Sequence, residues 1–169
     1  TAGGTNITTG PLISSGSAGA GAASAGTITL DAQGVLNTST ITALGEGTGV
    51  GGAVSLTGGS SVHLAGSIDT SGGVSGTPAA GGNITVNGPA VVSGADRVLS
   101  TGAGTGNVLF AGTLDGDGTP RGLTVTVGTG RVTVSLDIVP DEENPYATLS
   151  AVDDFGDSMA DVRVAPNFK

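Results

Sequence analysis

One short phrase recurs along this chain: a glycine, one variable residue, then an apolar–variable–apolar triplet. It reads AGTITL at 25–30, GGAVSL at 51–56, GGNITV at 81–86, TGNVLF at 105–110 and TGRVTV at 129–134, with a weaker copy, GTNITT, at 4–9. The first apolar residues of these copies are Ile7, Ile28, Val54, Ile84, Val108 and Val132, spaced by 21, 26, 30, 24 and 24 residues. Self-similarity at a period of about 20–50 residues marks a solenoid, a propeller or another repeat architecture. The spacing is irregular, but it stays within what one supersecondary unit can fill.

Each interval holds further apolar runs: GVLNTSTIT, SVHLAGSID, AVVSGADRVL, then AGTL with GLTVTV. These alternate with period two, which turns one side chain inward and the next outward. No stretch offers the i, i+3, i+4 spacing of an amphipathic helix, and glycine every few residues weakens any helix. The repeats therefore read as all-β. A sandwich would use them antiparallel; a solenoid would stack them in parallel about 4.8 Å apart. One triplet per interval favours stacking, since like residues then lie over like. The expected fold is a right-handed parallel β-helix (a β-solenoid) of about five coils over residues 1–134, with GVSGTPAAGG at 73–82 looped out at a corner. The glycines are assigned to corners that need positive φ.

Composition agrees. With 33 Gly, 3 Phe, 1 Tyr and no Trp, large rings do not fill the core, yet 37% of residues are hydrophobic and the mean hydropathy is +0.25. Burial falls to Val, Ile and Leu in many short strands. The chain has no Cys, so it holds neither a disulfide framework nor thiolate chemistry. A net charge of −9 with only five Lys and Arg excludes nucleic acid and anionic lipid as natural partners. No run approaches the roughly 18 apolar residues of a membrane helix, so membrane insertion is not expected. The opening TAGGTNITTG lacks Met, a charged leader and an apolar signal core, and reads as a mature form or a piece of something longer.

The stretch GGAVSLTGGSSVHLAGSIDTSGG, with the later GGNITVNG, resembles the repeat region of filamentous-haemagglutinin-type exoproteins. It is similar also to the passengers of other large Gram-negative adhesins and autotransporters. The resemblance covers roughly residues 4–134 and is periodic, not catalytic. It implies a long β-helix, secretion to the cell surface or the exterior by a Gram-negative bacterium, and passage across the outer membrane unfolded, with which the absence of Cys agrees. It carries no fixed catalytic residues.

After Arg131 the pattern changes. Eight of the 14 acids lie between Asp137 and Asp161, and the stretch from Arg131 onward also holds the only Tyr and Met and two of the three Phe. Residues 135–169 read as an acidic C-terminal segment that either caps the last coil or docks on a neighbouring subunit by strand addition. YATLSAV and ADVRVAP are its candidate strands.

Chemistry is sparse. His63, the sole histidine, alternates with Val62 and Leu64 and so faces outward; a solvated strand residue suits it better than a general base. Polysaccharide lyases and hydrolases use β-helices, and they need carboxylates gathered on one groove. Asp69 and Asp96 occupy comparable late-coil positions and form the candidate pair. LDGDGTP at 114–120 sets Asp115 and Asp117 in a Gly-rich turn, which suits a calcium ion, although Asp-Gly is equally a plain turn. PDEENP and DDFGD offer a second, looser calcium candidate. An ice-binding face needs outward Thr pairs in every coil, and TIT, AVS, NIT, NVL and RVT break the file. The sequons at Asn6, Asn37 and Asn83 carry no weight in a Ser/Thr-rich chain.

The chain therefore reads as a secreted structural or adhesive protein, not an enzyme, without a cofactor other than calcium at Asp115 and Asp117. Its partners would be copies or neighbouring segments of a longer fibre and surface glycans. The alternative is a carbohydrate-active β-helix enzyme of lyase or hydrolase type.

Overall fold

A computed structural model describes residues 6–17, 21–134, 147–152 and 158–164. Contacts divide the chain into two units, Thr1–Ser135 and Leu136–Lys169, each taken here by itself. No helix forms among the described residues.

The first unit is a β-solenoid of about five coils, walled by three parallel sheets of five strands each. The recurring triplets form the first sheet: β4 (Ile28–Ala32), β8 (Val54–Gly58), β11 (Ile84–Asn87), β14 (Val108–Phe110) and β17 (Val132–Val134). The second sheet holds β1 (Ile7–Thr8), β5 (Val35–Thr38), β9 (Ser61–Leu64), β12 (Ala90–Val92) and β15 (Leu114–Gly116). The third holds β2 (Leu12–Ile13), β6 (Ile41–Thr42), β10 (Ile68–Asp69), β13 (Arg97–Ser100) and β16 (Leu123–Thr126). The apolar runs between triplets are thus the second and third walls of each coil.

Register puts like on like. Leu30, Leu56, Val86, Phe110 and Val134 form one inward column. Leu12, Ile41, Ile68, Leu99 and Val125 form another. In the middle coils these side chains are 0–1% exposed and join in one core with Leu36, Val62 and Ala90. β-branched and Leu side chains suffice because each strand contributes only one or two of them per coil. Phe110 is the sole aromatic ring buried there. Three threonines are buried too, and each hydroxyl is satisfied: Thr38 donates to the His63 carbonyl, Thr70 to Gly82 and Thr101 to Gly106. A buried hydroxyl left unpaired would cost about 1–3 kcal/mol.

Two expectations are corrected. Ile7 does not begin the triplet series: it pairs with Leu36 in the second sheet, and the first sheet starts at Ile28. The reason is legible afterwards, because the other five markers have glycine two residues earlier, whereas Ile7 has Thr5. The second correction concerns that glycine. Gly26, Gly52, Gly82, Gly106 and Gly130 stack in a column, and none has positive φ, a conformation left to turn residues such as Gly88 (φ 105°) and Gly118 (φ 82°). Close approach is what demands glycine here. A Cβ at Gly82 would overlap the Gly52 carbonyl, one at Gly52 the Gly26 carbonyl, and one at Gly130 the Gly106 carbonyl.

Wall-to-wall turns are mostly short, and variation in coil length collects at the corner between the third and first sheets. That corner holds residues 14–17 and 21–27 of the first coil, then 43–53, 70–83, 101–107 and 127–131 in successive coils. The segment 73–82 lies in the corner of the third coil, outside any strand. In the first two corners β3 (Ala22–Ala23) and β7 (Glu46–Gly47) pair antiparallel.

In the second unit, β18 (Ala147–Val152) and β19 (Ser158–Val164) pair antiparallel, with a register shift between Leu149 and Ala151. The candidate runs YATLSAV and ADVRVAP thus meet each other through residues 147–152 and 160–164. The cap or docking role expected of 135–169 falls largely on 135–146, 153–157 and 165–169, outside the described residues, as do PDEENP and DDFGD.

Gly82→Ala is expected to lower unfolding stability by about 1–3 kcal/mol, the usual cost of forcing atoms into a packed site. Gly10→Ala, where an added Cβ meets nothing within 4 Å, should stay within about 0.5 kcal/mol of the parent. Paired thermal melts followed by circular dichroism measure both. Equal melting temperatures would show that the glycine column is not held by close approach.

Candidate functional site

Side chains on the outer faces follow the same columns as the core. Thr8, Asn37, His63, Val91 and Asp115 succeed one another on the second sheet. His63 is half-buried between Asn37 and Val91, with Val62 and Leu64 turned into the core. It therefore faces outward, and no carboxylate flanks it in the adjoining strands.

The carboxylate pair Asp69 and Asp96 does not assemble. Asp69 lies beside Thr42 and Ser100, because β10 aligns Ile68 with Leu99. Asp96 stands four residues before that point, in the turn that precedes β13. Its Oδ1 accepts the Gly122 N–H at 2.7 Å. Asp69 Oδ1 accepts the N–H of Ser71 at 3.0 Å and also its hydroxyl. Unequal corners displaced the register that sequence spacing suggested.

What Asp69 does share is a cleft with Glu46. The corners of the second and third coils enclose about 350 Å³, lined by Leu44, Glu46, Asp69, Ser71, Val74 and neighbouring glycines. Backbone bonds hold the corners together: Gly45 donates to Ser71, Gly73 to Gly49 and Ser75 to Gly47. Two carboxylates, the hydroxyls of Ser71 and Ser75 and two aliphatic side chains suit a hydroxyl-rich or cationic group. Sequence spacing missed this cleft because Glu46 belongs to a corner, where no period applies; the long Gly-rich corners themselves were its only signal.

The calcium candidates are engaged separately. Asp115 is exposed on the second sheet and its Oδ1 accepts the Gly116 N–H at 2.7 Å. Asp117 takes Arg121 Nε at 3.1 Å and Nη2 at 3.2 Å, the Gly94 N–H at 2.9 Å and the Thr119 N–H at 3.3 Å. Among the described residues no three His, Asp or Glu side chains gather as a metal cluster. Asp117 and Asp96 instead form a reciprocal clasp. Asp117 of the fifth coil reaches back to Gly94 of the fourth, and Asp96 of the fourth reaches forward to Gly122 of the fifth.

The Arg121 guanidinium, followed by the Gly94 N–H, holds the Asp117 carboxyl down at about 2. Both partners stabilise the charged form, so the proton is bound less tightly than in an ordinary aspartate.

No protein-family model, curated protein or solved structure matches the chain.

Because the folded pKa of Asp117 lies below its ordinary value of 3.8, its contribution is fully present above about pH 4. It is lost as pH falls from there through about 2. Asp117→Asn should therefore melt below the parent at pH 6 and converge with it at pH 2. Thermal melts across that range read the difference. A gap that stays constant with pH would remove the clasp from the account.

Proposed function

We propose that the chain is a structural or adhesive element, a stiff and chemically quiet β-solenoid segment or subunit of an extracellular or cell-surface fibre. The observation that carries this reading is the set of three parallel sheets running unbroken through every coil. Each wall is hydrogen-bonded along the solenoid axis, and all three share one core, so bending one wall would strain the other two. The carboxylates support it as well, for Asp69, Asp96, Asp115 and Asp117 all accept backbone N–H groups. They serve as turn and coil clasps. The resemblance of residues 4–134 to filamentous-haemagglutinin-type repeats supports secretion by a Gram-negative bacterium. Natural partners are then neighbouring segments of the fibre and surface glycans, the latter reached through the outward Thr29, Ser55 and Thr85 hydroxyls. Calcium at Asp115 and Asp117 would have to displace Arg121 from Asp117, so no cofactor belongs to this reading.

One observation favours a second reading, a carbohydrate-active enzyme of lyase or hydrolase type: Glu46 and Asp69 line one cleft. Glycosidases need two carboxyl groups across the scissile bond. Incubation with a panel of bacterial and host polysaccharides separates the two. The structural reading expects no released reducing ends and no unsaturated uronate, with or without calcium, alongside retention on immobilised glycans. Turnover that disappears in a Glu46→Gln, Asp69→Asn double variant would replace it with the enzyme.

A further inference from the structure

Five asparagines fall within residues 6–134, and four of them precede a β-branched residue: Ile7 after Asn6, Thr38 after Asn37, Ile84 after Asn83 and Val108 after Asn107. Asn87 alone precedes a glycine. The difference matters because the backbone nitrogen of the next residue is the group that attacks an asparagine side chain. A branched Cβ beside that nitrogen crowds the approach, whereas Gly88 has no Cβ to do so.

Hydrogen bonds set Asn87 apart in the same direction. Ile84 N–H donates to the Asn107 carbonyl at 2.8 Å and Val108 N–H to the Arg131 carbonyl at 2.9 Å, so the nitrogens after Asn83 and Asn107 are held in the ladder. The Asn83 and Asn107 side-chain oxygens in turn accept the Asn107 and Arg131 N–H groups, each at 2.9 Å. Asn87 ends β11. It pairs with Thr57 of β8, but the ladder to β14 stops one residue earlier, where Val86 meets Phe110. Beyond it Gly88 turns with φ 105°, and its N–H donates to no carbonyl among the described residues. The partly exposed Asn87 side chain is tethered through Nδ2 to Thr57 Oγ1, at a long 3.3 Å. Attack requires the Asn87–Gly88 peptide to rotate out of the extended strand, and pairing on one side only leaves that local opening available.

From this we infer that Asn87–Gly88 is a self-modification site, an asparagine that deamidates in the folded chain, with the Thr57 hydroxyl as its brake. The Gly88 nitrogen gives up its proton and attacks Asn87 Cγ. As the N–Cγ bond closes a cyclic imide, the Cγ–Nδ2 bond breaks and Nδ2 leaves as ammonia with that proton. Water then opens the ring. Addition at Cγ gives aspartate; addition at the Asn87 main-chain carbonyl gives isoaspartate, which carries an extra methylene in the backbone. Water is the sole co-reactant, and nothing is oxidised or reduced. Either product adds one negative charge to the outer face of the first sheet, beside Thr57. The isoaspartyl product also lengthens a turn that has no room, for a Cβ at Gly88 would overlap the Gly58 carbonyl and one at Gly112 the Gly88 carbonyl. Proton loss from the Gly88 nitrogen starts the reaction, so its rate rises with pH.

The full chain, incubated for weeks in neutral and in mildly alkaline buffer, tests this by isoelectric focusing and peptide mass mapping. The parent should gain a more acidic band, sooner at the higher pH, with the mass change in the peptide that holds residue 87. Asn87→Gln, which needs a larger and slower ring, should keep that peptide unchanged. Thr57→Val frees the amide and should raise the rate roughly two- to tenfold, the scale of one hydrogen bond. Asn87→Asp should run with the aged band from the start and melt close to the parent, while the isoaspartyl fraction of aged protein melts lower. Circular dichroism checks that each variant is folded. A folded parent that keeps its charge while a urea-unfolded sample converts would overturn the site, as would a change mapped to another asparagine. A folded Thr57→Val variant that converts at the parent's rate would overturn the brake.

Discussion

Backbone hydrogen bonding between coils fixes everything else in this protein. Parallel neighbours lie about 4.8 Å apart, and each coil must deliver its peptide groups to that spacing along three walls at once. At the entrance to the first sheet the backbones come closer than a side chain allows, and Gly52, Gly82 and Gly130 stand there as a result. Two residues further on, the same spacing requires a flat apolar side chain in every coil, which Ile28, Val54, Ile84, Val108 and Val132 supply. The short apolar side chains follow from the narrow interior, and the buried threonines follow from its corners. Thr70 and Thr101 leave the third wall inward and tie it across to Gly82 and Gly106, where the first wall begins.

The triplets, the period-two alternation and the shortage of helix formers made the architecture readable, because stacking imposes the same demand once per coil and writes it into the sequence repeatedly. Phase was harder to read. Ile7 looks like a triplet marker, and only the missing glycine two positions before it reveals that it belongs to a different wall. The role of the glycines was also misassigned: composition shows that a residue without Cβ is wanted, not whether torsion or crowding wants it.

Sites were less legible than walls. A periodic reading places side chains by counting along the chain, and counting fails wherever a corner is longer than its neighbour's. The fourteen residues between Asp69 and Ile84 shift the third coil against the fourth, so Asp69 meets Ser100 and Asp96 meets Gly122. The cleft that joins Glu46 to Asp69 arises from the same irregularity. Corners respond to no repeated constraint, so the features that differ from coil to coil gather there. The Asp96–Asp117 clasp is one more such feature, local to a single pair of coils.

The alignment of the ladders has a mechanical side. Their hydrogen bonds run along the solenoid axis, so tension applied between the two ends of the chain loads one coil's rows at a time and leaves the rest shielded. A coil of 24–30 residues that peels away would lengthen the molecule by roughly 80–110 Å of extended chain. A solenoid built this way yields under load in discrete lengths set by its own coil size, and the coils still stacked keep their core while it does so. Compliance of that kind needs no hinge and no flexible linker; it is already present in the direction in which the peptide groups point.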